Sequence, residues 1–98
     1  MQTNLNEGRQ TLRIIVKGKV QGVFYRQTAK EKAGELKMGG NIKNAPDGDV
    51  HIIATGNKEQ LQEFIAWCRR GPPEAIVDEV STEEIPLQPF DSFKIVRY

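Results

Sequence analysis

Gly18-Lys19-Val20-Gln21-Gly22-Val23-Phe24-Tyr25-Arg26 joins a β-rich run, Leu12 to Val16, to a helical pattern that follows it. Leu12, Ile14 and Val16 alternate with Arg13, Ile15 and Lys17, so the run from about Leu12 to Lys17 reads as a half-buried strand. Downstream, Ala29, Ala33 and Leu36 share one face of a helix expected from about Tyr25 to Leu36. Gly34 weakens that helix by about 1 kcal/mol relative to alanine. Gly18, Gly22 and Arg26 therefore sit on a strand-to-helix loop. Such a loop can aim successive backbone N–H groups at one point, beside a helix N-terminus and a guanidinium. That arrangement holds a small oxyanion such as phosphate.

Working outward, Met38 and the Gly39-Gly40 pair close the first helix and turn the chain. Ile42–Asn44 and Val50–Ala54 read as two strands around Ala45-Pro46-Asp47-Gly48-Asp49, where Asp-Gly signals a hairpin turn. A second helix starts near Asn57, with Gln60 completing a capping box. Its apolar stripe is Leu61, Phe64, Ile65 and Cys68, and Gly71-Pro72-Pro73 stops it. A fourth strand over about Ala75–Ile85 carries Asp78, Glu79, Glu83 and Glu84, which suits a sheet edge. A fifth runs from Phe93 to Tyr98. The order βαββαβ, with the fourth strand as a late addition before the last, predicts a ferredoxin-like α/β sandwich. This is an antiparallel-rich sheet with two helices on one face, built from two split βαβ units of the same hand. Residues 1–10 read as a flexible polar tail and residues 11–98 as a single domain.

Composition narrows the function classes. A chain of 98 residues is one small domain, and 38% hydrophobic with 28% charged residues is ordinary for a globular protein. One cysteine excludes an intrachain disulfide framework and any multi-cysteine metal site. No stretch reads as a signal peptide or a membrane span, so a cytoplasmic setting is the expectation. The net charge of +1 is uneven: residues 1–49 carry nine Lys/Arg against five Asp/Glu (+4), and residues 50–98 carry five against eight (−3). The basic half holds the loop and would attract a small anion. It is too weakly basic to argue for nucleic acid.

Two candidate residues stand out. Arg26 can offer a bidentate fork to phosphate oxygens, while Gly18 and Gly22 permit backbone conformations and close approach that a side chain would block. Spacing alone also allows a plain turn with an exposed arginine, and the loop lacks the Gly-Lys-Ser/Thr ending of a P-loop. Asn44, at a strand end before a turn, is either a turn former or an amide that holds a water or an oxyanion. Phe24 and Tyr25 can pack beneath the loop or line a site. Cys68 lies on an apolar stripe and reads as packing. It lacks an arginine six positions on, where Glu74 stands. His51, the only histidine, has no Cys or His partner at ligand spacing. Asp47 and Asp49 read as turn chemistry.

The Gly18–Arg26 stretch resembles the signature of the acylphosphatase family, G-x-V-Q-G-V-x-[FY]-R. The segment Gly40-Asn41-Ile42-Lys43-Asn44-Ala45-Pro46-Asp47-Gly48-Asp49-Val50 resembles that family's second signature. Gly56, the Gly-Pro break after the second helix and the closing Phe93-Lys94-Ile95 strand also fall where the family has counterparts. The resemblance spans residues 12–98. Two departures stand within it: Asn41 replaces a usual aromatic, and Lys37 a usual glycine. An aromatic at position 41 contributes packing, so its loss is expected to loosen the strand that carries Asn44.

What the resemblance implies is hydrolysis of acyl phosphates to a carboxylate and inorganic phosphate. Arg26 matches the family's phosphate-binding arginine and Asn44 its catalytic asparagine. Gln21, Gly22, Val23, Phe24, Tyr25 and Arg26 match the segment whose backbone N–H groups hold the phosphate. It implies no metal, no cofactor and no covalent intermediate. The expected partners are a small acyl phosphate and inorganic phosphate, with no nucleic acid or membrane, and a monomer is expected. The alternative is a catalytically weakened anion-binding module of the same fold, which only Asn41 supports. An RNA-binding or metal-transfer domain lacks its aromatic platform and its Cys-x-x-Cys.

Overall fold

The computed structural model describes residues 8–97. Its elements run β1 (Arg9–Lys19), α1 (Tyr25–Glu35), β2 (Gly39–Asn44), β3 (Val50–Asn57), α2 (Lys58–Arg70), β4 (Ile76–Ile85) and β5 (Phe93–Ile95). β1 is longer than its alternation predicts. Arg9 and Gln10, expected in the tail, pair with Asn57 and Gly56 of β3. The ladder satisfies backbone groups whatever the side chains are, so polar residues at a strand end extend it unseen by hydropathy. The rest of the expected tail, residues 1–7, lies outside the described residues, as does Tyr98 at the expected end of the last strand.

The five strands form one sheet in the order β4-β1-β3-β2-β5. β1 is antiparallel to both β3 and β4, β2 is antiparallel to β3, and β5 joins β2 in parallel. The acidic β4 is an edge, as its charges predict. Ile14, Val16, Ile42, Val50, Ile52 and Ala54 are buried against Ala29 and Ala33 of α1 and Leu61, Phe64 and Cys68 of α2. Trp67 joins α2's buried set, and Ile65, which the sequence pattern puts there, is half-buried against the same core. An aromatic cluster ties this layer together: Phe64 lies 5.7 Å from Phe93 and 6.3 Å from Trp67, ring centre to ring centre. The ferredoxin-like sandwich is thus the observed architecture.

Both helices end by recognisable backbone rules. α2 begins with a complete capping box between Asn57 and Gln60. α1 ends differently from expectation: Gly39 and Gly40 belong to β2, and Lys37 takes the left-handed turn at φ 58°. Met38 N–H donates to Ala33 O and Lys37 N–H to Gly34 O, the two bonds of a Schellman motif. A left-handed conformation costs a residue with a side chain about 1 kcal/mol or more, which explains why glycine suits this position. On the sheet's other face, Thr11 and Thr55 are buried and share a 2.6 Å hydroxyl contact. The backbone of Gln88 bonds both hydroxyls, pinning the β4–β5 connection across that face.

Candidate active site

The loop between β1 and α1 is shaped by one close approach and two left-handed turns. A Cβ on Gly18 would run into the carbonyl oxygen of Ile76, at the bulge where β1 shifts register against β4. Its glycine therefore serves the sheet, not a ligand. Gly22 has φ 75° with open space around it, so the turn itself requires glycine there. Phe24 follows at φ 66° and leads into α1. For a bulky residue this is an outlier costing about 1–2 kcal/mol.

The start of α1 is electrostatically unusual. No side chain caps it, no acidic residue occupies its first turn, and Arg26 stands there instead. The first N–H groups of a helix have no intrahelical partner and carry partial positive charge. A cation among them is unfavourable alone and favourable around an anion. Among the described residues, the Arg26 guanidinium has no hydrogen-bond or ion-pair partner.

Arg26 and Asn44 line the same cavity of about 290 Å³, with Gly22, Phe24, Tyr25, Gln27, Ile95 and Arg97. The sheet order brings this about. β2 ends at Asn44 beside β5, and α1 starts at the same end of the sheet, after β1. The Asn44 Oδ1 is buried and has no hydrogen-bond partner. A buried acceptor left so costs about 1–3 kcal/mol unless a donor reaches it. Among the described residues the lining holds two guanidiniums and no carboxylate, a setting that favours a doubly charged anion.

The remaining residues of the loop act as supports. Gln21 donates from one amide nitrogen to the carbonyls of Ala45 (2.8 Å) and Asp49 (2.9 Å), clamping the loop to the β2–β3 hairpin beside Asn44. Val23 is buried in the core. Tyr25 is buried with its ring 5.1 Å from Trp67, and its hydroxyl donates to Cys68 O at 2.8 Å, near the end of α2. Only their backbones can serve a ligand in the way the resemblance implies. Burial pushes the Tyr25 phenol well above its ordinary range and the Cys68 thiol up to about 12, so Cys68 is a packed thiol rather than a nucleophile.

Other polar residues fall elsewhere. Asp47 Oδ1 accepts from Asp49 N–H, and Asp49 holds the Lys17 ammonium at 2.7 Å, which raises the pKa of Lys17. This is turn chemistry, with the His51 imidazole within 4.8 Å of both carboxylates. Asn41 lies on the open face of the sheet beside Arg13, Lys43, His51 and Ile53, and is not part of the cavity lining. Sequence reasoning missed Arg97 and Ile95. They reach the cavity only because β5 pairs in parallel with β2, and the one available signal was a cation just beyond the last apolar strand.

The profile of the acylphosphatase family matches residues 12–95. The chain belongs to the acylphosphatase family. Among relatives, it is 46% identical to an acylphosphatase of Marinobacter nauticus over 82 residues, 83% of this chain and 89% of that one. The structure of an acylphosphatase from Coxiella burnetii superposes with a TM-score of 0.92 at 35% identity, covering 97% of this chain and all of the other. The Bacillus subtilis acylphosphatase structure follows at 0.86 and 38% identity, covering 89% and 98%. Family membership makes the chain an enzyme of acyl phosphate hydrolysis. No described helix is long and apolar enough to cross a membrane.

Proposed function

We propose that this acylphosphatase-family chain hydrolyses acyl phosphates with Arg26 and the Gln21–Arg26 backbone holding the phosphate and Asn44 orienting the attacking water. The observation that carries this is the shared cavity: Arg26, at an uncapped helix start, and Asn44, whose buried Oδ1 has no hydrogen-bond partner, both line it. An acyl phosphate leaves as a carboxylate, which needs little protonation. Phosphoryl transfer then depends mainly on positioning and charge stabilisation. Loop N–H groups and Arg26 neutralise the equatorial oxygens, and Asn44 places the water in line with the departing acyl oxygen. Among the described residues no side-chain base lines the cavity, so in this reading the substrate's own phosphate takes the water's proton. This reading needs no metal, cofactor or covalent intermediate, and a cytoplasmic monomer is proposed with it.

The test is hydrolysis of benzoyl phosphate in EDTA by the wild type, Arg26→Ala and Asn44→Ala. Arg26→Ala weakens phosphate inhibition and turnover together. Asn44→Ala loses turnover while phosphate still inhibits competitively. Full activity in Asn44→Ala would remove its assigned role, and an EDTA-sensitive rate would overturn the metal-free mechanism. A pH–rate profile governed by a protein group near neutrality would overturn proton transfer to the phosphate. Asn41, the anion-binding alternative's support, lies on the open sheet face and does not line the cavity, so it would act only through the strand that carries Asn44.

A further inference from the structure

Phe24 is the most exposed large apolar side chain among the described residues, at 76%. It lines the cavity that holds Arg26 and Asn44. Its backbone adopts a left-handed conformation (φ 66°) that disfavours side chains, so glycine would suit the turn better. Its ring stacks on no other aromatic group among the described residues. Neither packing nor backbone preference therefore accounts for a phenyl ring here.

The geometry points to Phe24 as the residue that reads the acyl group, selecting aromatic and bulky apolar acyl phosphates over small ones. This rests on the hydrolase reading above. With the phosphate against the loop N–H groups and Arg26, the acyl end extends toward the open side of the cavity. Val20 is buried, so the apolar lining there reduces to the Phe24 ring and the half-buried Ile95. An aryl acyl group can lie against that ring and remove its exposed face from water. An acetyl group is too small to cover it. Such a contact lies outside the reacting atoms and discriminates between acyl groups without joining in bond breaking.

The test compares kcat/KM for benzoyl phosphate and acetyl phosphate in the wild type, Phe24→Ala and Phe24→Gly, with inorganic phosphate inhibition measured in each. The wild type prefers benzoyl phosphate, and the benzoyl-to-acetyl ratio falls about tenfold in both variants, a difference of about 1.4 kcal/mol. Phe24→Gly also relieves the backbone strain, so a shared loss assigns the effect to the ring. A purely structural role would lower both substrates alike and leave the ratio unmoved. A ratio within twofold of wild type, with both substrates still turned over, overturns the inference alone. No turnover of either substrate by the folded wild type overturns the hydrolase reading and this inference with it.

Discussion

Gln21→Met removes two hydrogen bonds while keeping the length and apolar volume of the side chain. In the folded chain the Gln21 amide donates to Ala45 O and Asp49 O. Neither carbonyl is orphaned by the change, because Gly48 N–H still reaches Ala45 O (3.1 Å) and Ala45 N–H still reaches Asp49 O (2.8 Å). The loss is therefore the net worth of two bonds, about 0.5–1.5 kcal/mol each, rather than the larger penalty of two buried unpartnered carbonyls. A destabilisation of about 2 kcal/mol follows, a large share of the total for a small domain. With an m-value of about 1 kcal/mol/M, urea denaturation should show the midpoint falling by about 2 M at unchanged slope. The clamp also fixes the hairpin next to Asn44, and misplacement by about 1 Å costs catalysis up to about 100-fold. We expect kcat for benzoyl phosphate to fall at least about tenfold. A stability change below about 0.5 kcal/mol would refute the clamp. Lost stability with wild-type kcat would refute its role in positioning Asn44.

Three further outcomes are expected. Lys37→Gly relieves the left-handed C-terminal turn of α1 and raises stability by about 0.5–1 kcal/mol in urea denaturation, once glycine's greater unfolded-state entropy is counted. Gly18→Ala drives a Cβ into the backbone of Ile76 and Asp78 and costs about 2–4 kcal/mol, seen as a fall in thermal midpoint. The Cys68 thiol is raised from 9.0 to about 12 by burial, so above pH 9 the unfolded chain releases a proton that the native one keeps. Stability should hold below about pH 9 and decline toward pH 12, and Cys68→Ala, though less stable at neutral pH, should lose that part of the alkaline slope.

Much of the fold is legible because its signals are local. The Asn57/Gln60 capping box, the Asp47-Gly48 turn and the Leu61–Cys68 stripe each depend on neighbours within a few residues, and each appears where the pattern places it, with Trp67 added to the stripe. The ends of β1 and β2 were less legible. Arg9, Gln10, Gly39 and Gly40 join the sheet through backbone pairing, which carries no hydropathy signal. The helix stop departs from the pattern for a related reason. Glycines mark freedom to turn but do not require it, and Lys37 was forced into the turn by the two Schellman bonds.

The sequence by itself determined the two signature segments, the order of elements, and Arg26 and Asn44 as the residues to watch, because motif and periodicity are written along the chain. Tertiary structure alone decided what surrounds them. It showed Gln21 to be a clamp, Gly18 a servant of the sheet, and Arg97 and Ile95 parts of the cavity. It also left Phe24 exposed at the cavity while Tyr25 went into the core. These outcomes depend on which strands pair and which helix crosses them. Contacts between residues far apart in sequence are set by the packing of whole elements, and no local pattern records them.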